Sequence, residues 1–249
     1  MFPIIRGWTD VQRTHQTNVK LGAVLCFVAG ATNAGGFLAV GQYTSHMTGM
    51  LSSVADNLVL GRLTLVGAAL GALLAFVAGA MTTAVLVNWG LRRGLHSAYG
   101  LPLLLEAAAL LVFGLFGAAI DLMAPLFLPL TVVLLCFIMG LQNAVITKIS
   151  RAEIRTTHVT GLVTDIGIEL GKLLYINGPA DSTPVRANRE RLRIHSLLVA
   201  CFFLGGVAGA LGFKYVGFVS TVPLAIALWA LSMRPLARDL RHGFARGRA

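Results

Sequence analysis

The chain has 249 residues, 56% of them hydrophobic and only 12% charged, with a formal net charge of +10 and a mean hydropathy of +0.79. A soluble domain carries about 25% charged residues. Half that, with repeated apolar runs of about 20 residues, marks an integral membrane protein. The runs lack the alternation over about ten residues that a membrane barrel requires, so the expected fold class is all-α. Cys26, Cys136 and Cys201 each fall inside an apolar run and read as small packing residues. They make no disulfide framework and no metal-ligand spacing, so neither metal nor cofactor is expected. The first apolar run is too long for the h-region of a cleavable signal peptide.

Residues 1–18 are polar and basic. The first span covers about 20–41 and contains Thr32-Asn33-Ala34-Gly35-Gly36, a run expected to weaken a helix at mid-depth. A polar segment at 42–60 precedes a second span at about 63–88. Arg92 and Arg93 occupy the next loop. The third span, about 101–121, carries Glu106, and a short loop holds Asp121 and Pro125. The fourth span is about 126–147. A basic turn with Lys148, Arg151 and Arg155 leads into a second polar segment, 156–171. A hydrophilic connector at 172–193 precedes spans at about 194–213 and 215–233, and a basic tail at 234–249 follows.

The basic residues decide between topologies. With six spans and the N-terminus inside, 18 of the 20 Lys and Arg lie inside, and only Arg62 and Lys214 face out. If both polar segments crossed as well, the inside count would fall to 14. The positive-inside rule therefore favours six spans with both termini cytoplasmic. The same placement explains the net charge without nucleic acid, with some attraction to anionic lipid added.

The chain also repeats. Gly30, Asn33 and Ala34 recur as Gly140, Asn143 and Ala144 at an offset of 110. Thr44, His46, Thr48, Gly49 and Ser52 recur as Thr156, His158, Thr160, Gly161 and Thr164 at an offset of 112. Phe76, Gly79, Ala80 and Ala84 recur as Phe202, Gly205, Gly206 and Ala210 at an offset of 126. Each half then reads as span, polar segment, span, span: repeat 1 over 19–122 and repeat 2 over 126–233, in one membrane domain. An odd number of spans per half turns the second half upside down, as in many transporters and channels.

The run Asn33-Ala34-Gly35-Gly36-Phe37, followed by Tyr43-Thr44-Ser45-His46-Met47-Thr48-Gly49, resembles the signature of the YoaK-like family of bacterial membrane proteins, a family of unknown function. Met50 departs from it, since Asn is expected there. The resemblance implies a bacterial inner-membrane protein with about six spans and names no substrate.

Both polar segments are amphipathic when drawn as helices. Thr44, Thr48, Ser52 and Asp56 form one stripe, with Ser45, Gly49, Ser53 and Asn57 beside it. Thr156, Thr160 and Thr164, with Thr157, Gly161, Asp165 and Glu169, form the other. Such stripes suit half-helices or re-entrant segments lining a wet cavity. Helices lying flat on the membrane are the alternative, but they would carry Lys or Arg on their polar faces, and 44–60 and 156–171 contain none. Thr-Ser and Thr-Thr at the segment starts are expected N-caps. The free N–H groups of such ends favour a polar or anionic solute if the two ends meet near the midplane.

The expected substrate-binding residues are Asn33, Thr44, Ser45, His46, Thr48, Asn143, Thr156, Thr157, His158 and Thr160. His46, His158, Glu106 and Asp165 are candidates for proton coupling. Each has a structural alternative. The histidines can bond a nearby Asn or Thr, the asparagines can bridge helices, Glu106 can pair with Arg92 or Arg93, and Asp165 with Arg155 or Lys172. Gly67-x-x-x-Gly71 and Gly205-x-x-x-Gly209 suit close helix packing, within the chain or in a homo-oligomer. Gly167 to Lys172 has one residue too few between its glycines for a phosphate-binding loop.

The expected function is secondary transport of a small polar or anionic metabolite, with or without proton coupling. A passive channel of the same architecture is the alternative. An enzyme would need a nucleophile with its base or a metal cluster, and neither pattern is present; a sensor would be expected to carry a soluble domain.

Overall fold

The computed structural model describes residues 8–11, 13–116, 124–178 and 183–246. Arg6, Asp121, Arg248 and the expected repeat boundary near 122 lie outside them. The described residues form α1 (His15–Val40), α2 (Met47–Val59), α3 (Leu63–Arg92), α4 (Gly100–Phe116), α5 (Ala124–Ser150), α6 (Val159–Leu174), α7 (Arg189–Val216) and α8 (Val222–Arg246), with a 3-10 turn at Gly217–Thr221. There is no strand among them. The all-helical, membrane-type fold is as expected.

Among the described residues, four helical stretches are long and apolar enough to cross a membrane: His15–Val40, Leu63–Arg92, Leu128–Ser150 and Arg189–Arg241, with Gly100–Leu115 a shorter apolar helix. The last long stretch has 53 residues, about 80 Å at 1.5 Å per residue, against an apolar core of about 30 Å. It is divided where Gly217 takes a positive φ of 74° and ends α7.

The expected weakening of the first helix does not occur. α1 runs unbroken through Thr32-Asn33-Ala34-Gly35-Gly36 and stops only at Gly41, in the left-handed region with φ 74°. An interior Gly costs a helix about 1 kcal/mol relative to Ala, and packing outweighs that cost. A side chain on Gly35 would overlap the Phe213 ring, and one on Gly36 would sit 3.1 Å from Leu135. The connector is also shorter than expected, because α6 reaches Leu174 and α7 begins at Arg189.

Contacts fix the helix directions. Gly22 lies by Leu198, Gly30 by Phe202 and Gly35 by Phe213, so α1 and α7 run parallel. Gly79 lies by Phe137, Thr83 donates to the Leu141 carbonyl (3.0 Å) and Lys148 to the Asn88 side chain (3.2 Å), so α3 and α5 run parallel. Gly22 by Ile154 and Gly36 by Leu135 make α1 and α5 antiparallel. Gly100 by Ser232 and Gly114 by Phe218 do the same for α4 and α8.

The two parallel pairs use matching glycines. A Cβ on Gly30 would strike the Phe202 carbonyl, and one on Gly205 the Phe27 carbonyl. In the other pair Gly79 meets the Phe137 carbonyl and Gly140 the Phe76 carbonyl. Gly30/Gly140 and Phe27/Phe137 share the offset of 110; Gly79/Gly205 and Phe76/Phe202 share 126. Close backbone approach of this kind is how small residues stabilise helix pairs in lipid. Gly205-x-x-x-Gly209 serves this packing, whereas Gly67 and Gly71 do not: nothing lies within 4 Å of a Cβ at either. For these two glycines the expectation of packing within the chain is corrected, because both fall on a side of α3 that no other described helix covers.

The main core joins Leu21 and Leu25 of α1 to Leu103 and Leu110 of α4, Leu135 and Met139 of α5, Leu198 of α7 and Leu228 of α8. A second cluster seats Met50 of α2 against Ala72, Ala75, Val132 and Cys136. Met50 is therefore a core residue with an apolar role.

Candidate binding site

Each Thr-x-His-x-Thr-Gly stretch turns the chain from the end of a long helix into a short one. The expected Thr-Ser and Thr-Thr caps are displaced: the cap positions are His46 and His158, neither making a side-chain capping bond. Their backbones nearly coincide, at φ −91°, ψ 70° and φ −85°, ψ 52°. The His46 and His158 carbonyls open the two helices by accepting from Met50 N–H and Leu162 N–H, each at 3.1 Å. Each ring folds over the glycine three residues on. A Cβ on Gly49 would sit 2.5 Å from His46 Nδ1, and one on Gly161 2.8 Å from His158 Nδ1. The His and Gly of the motif are thus a matched pair.

The asparagines hold the turns. Asn33 Oδ1 accepts from Ser45 N–H (3.3 Å) and Ser45 Oγ–H (2.9 Å). Asn143 Oδ1 accepts from Thr157 Oγ–H (2.8 Å) and Thr156 Oγ–H (3.4 Å), while its Nδ2 donates to the Met139 carbonyl at 2.8 Å. The structure therefore brings Asn33 to Ser45, and Asn143 to Thr156 and Thr157. Thr44 and Thr156 are buried; His46, Thr48, His158 and Thr160 are exposed.

The motif starts lie deep beside their partner helices, not face to face. Thr156 touches α1 at Cys26, whose Sγ is 3.6 Å from the Thr156 carbonyl. Thr44 touches α1 at Gly36, beside Leu135 of α5. Cys26 is about 17 Å along α1 from its start, and Leu135 about 17 Å along α5 from its start, at 1.5 Å per residue. Cys26 and Gly36 are about 15 Å apart along α1 on the same measure. α2 packs on α3 and α6 on α7.

Along that interval lies a set of polar groups that sequence reasoning missed. Thr32 is 1% exposed and Gln142 0% exposed. Thr32 Oγ1, Gln142 Oε1 and Nε2, and Thr44 Oγ1 are buried without a hydrogen-bond partner. Thr32 and Gln142 share the offset of 110. Glu106 of α4 is fully buried too, and neither carboxyl oxygen has a partner. It pairs with neither Arg92 nor Arg93; the Arg93 guanidinium instead lies 5.3 Å from the Trp89 ring centre. Buried polar groups in folded proteins are nearly always bonded, so these exceptions are candidates for contact with water, an ion or a solute. The legible signal was a polar residue immediately before each Asn, inside an apolar run.

The second motif also opens on a cavity of about 810 Å³, lined by His158, Gly161 and Asp165 together with Glu153, Arg191 and His195. Asp165 pairs with Arg191 at 3.2 Å, not with Arg155 or Lys172. Lys172 instead binds Glu169 Oε1 at 2.8 Å, and Asn188 N–H donates to Glu169 Oε2 at 2.7 Å. The Lys172 bond foremost, then the Asn188 bond, hold the Glu169 carboxyl below its ordinary range. His158 Nδ1 is 3.1 Å from Arg155 Nη1. Among the described residues no group of His, Cys, Asp and Glu is arranged to hold a metal ion.

Neither a curated protein nor a solved structure matches the chain. Residues 21–233, which include both asparagines, both histidine motifs and the glycine-packed helix pairs, match the family described as "Protein of unknown function (DUF1275)". The chain belongs to that family.

Proposed function

We propose that the protein is a secondary transporter of the bacterial inner membrane, moving a small polar or anionic metabolite. Its architecture on this reading is six spans in two inverted three-helix repeats, with α2 and α6 re-entrant and both termini cytoplasmic. Antiparallel α1 and α5, with the matched α1–α7 and α3–α5 glycine contacts, support the inversion. The single observation that carries transport is the set of buried, unpartnered polar atoms on Thr32 and Gln142, between the two motifs, and on Thr44 at the start of the first. A soluble cargo crossing a bilayer needs such groups at depth, and an inert membrane anchor does not. Glu106, His46, His158 and Asp165 are the proton-coupling candidates.

The test is a thermal-shift screen of the purified protein against metabolite pools, since a ligand that binds only the folded state raises its melting temperature. A stabilising metabolite should lose its effect in Thr32→Val and Gln142→Leu, and liposomes carrying the wild type should accumulate it. Protection that survives both substitutions would remove this site from the reading. Flux that ignores an imposed pH gradient would turn the reading to a passive channel.

A further inference from the structure

The cavity beside the second motif is charged, and its counterpart positions in the first half are not: Asp165 and Glu169 stand where the first half has Ser53 and Asn57. Charged and titratable groups face it from every surrounding element. α1 gives His15; the turn after α5 gives Glu153, Arg155 and His158; α6 gives Asp165, with the Glu169–Lys172 pair a turn beyond; α7 gives Glu190, Arg191 and His195.

Most of these are already satisfied in pairs. Arg155 meets His158, and His15 Nε2 lies 3.5 Å from Glu153 Oε1. Glu190 is exposed, and His195 is the buried exception. It is 6% exposed, lines the cavity, and its buried Nδ1 has no hydrogen-bond partner. That nitrogen stands 3.7 Å from Asp165 Oδ2, the same oxygen that Arg191 Nη2 reaches at 3.2 Å. One carboxylate oxygen therefore has two claimants, and only the guanidinium holds it.

We propose that this cavity binds a small free anion bearing a carboxylate, phosphate or sulfate group, held by Arg191, and that proton uptake by His195 releases Arg191 to bind it. The added proton makes Nδ1–H a charge-assisted donor, and a short movement closes the 3.7 Å gap to Asp165. Asp165 then has a second cation, and the Arg191 fork turns to the cavity, where it matches a planar oxyanion. Proton and anion bind together, which is the coupling a symporter requires. The inference rests on the transport reading for the direction of movement; the binding itself stands without it.

The probes are sulfate and acetate, titrated calorimetrically into the full chain in phosphatidylcholine nanodiscs. Sulfate affinity should rise by up to about tenfold per pH unit as pH falls through the range in which His195 takes up its proton. His195→Gln should leave binding weak at all pH, and Arg191→Gln should abolish it. Asp165→Asn should bind tightly at every pH, a gain that misfolding cannot imitate. Absence of binding by both anions, or pH dependence that persists in His195→Gln, overturns the proposal. So does loss of sulfate binding when phosphatidylglycerol is added, because the site would then belong to lipid headgroups. Loss of this linkage while Gln142-dependent protection persists overturns this inference alone; the reverse overturns only the transport reading.

Discussion

Substituting Gly205 by Ala tests the packing directly. A Cβ there would lie 2.7 Å from the Phe27 carbonyl carbon and closer to its oxygen, where ordinary contact begins at about 3.5 Å. The obstacle is helix backbone and cannot rotate away. α1 and α7 must separate locally by about 1 Å, and a gap of that size forfeits a quarter to a half of each contact's attraction. Overpacking of this kind costs about 3 kcal/mol. Gly79→Ala, in the matching position of the α3–α5 pair, should cost a similar amount. Gly67→Ala is the control: nothing lies within 4 Å, so the gain in helix propensity of about 1 kcal/mol or less should dominate. Unfolding in mixed detergent micelles reads all three. Equal effects at Gly205 and Gly67 would refute the reasoning, and destabilisation by Gly67→Ala would place an unseen partner on that side of α3.

Cysteine at position 62 or 214 should react with a membrane-impermeant reagent from the periplasm, and at 92 or 93 only after the membrane is opened. Labelling of 92 or 93 in intact cells would restore the eight-crossing topology. Asn33→Ala leaves the Ser45 N–H and hydroxyl without their acceptor and should lower stability by about 1–3 kcal/mol, read by the same unfolding assay. Glu169 has a folded-state pKa held below its ordinary value of 4.5, so its contribution is present above that value and lost as pH falls through the lowered one. The protection of residues 159–174 against hydrogen exchange, taken relative to the intrinsic rate at each pH, should therefore fall on acidification below about pH 4.5, and Glu169→Gln should remove the effect. An unchanged acid response in that variant would assign it elsewhere.

The order of long and short helices was readable because charge and hydropathy obey simple rules at a membrane. The run at Thr32 to Gly36 was misread, because intrinsic propensity argues for a break while Phe213 and Leu135 fill the space its glycines leave. The histidine motif was legible as a pair of equivalent sites. Its cap geometry was not, since the ring-over-glycine contact is three-dimensional. Thr32 and Gln142 carried a signal in their shared offset, but each looks like an ordinary polar residue in an apolar run. The charged cavity was the least legible. His15, Glu153, Asp165 and His195 come from separate stretches that only folding brings together.

The glycine-matched pairs divide the molecule differently from its sequence halves. α1 packs on α5 and α7 of the second half, and α3 packs mainly on α5. Residues 19–122 alone would leave the Gly30 and Gly79 seams without partners until α5 and α7 have been inserted. The halves are interlocked, so the first cannot complete its packing before α5 and α7 are present. On the transport reading, any rocking motion would carry α1 with α7 and α3 with α5, two bodies that each draw one member from either half.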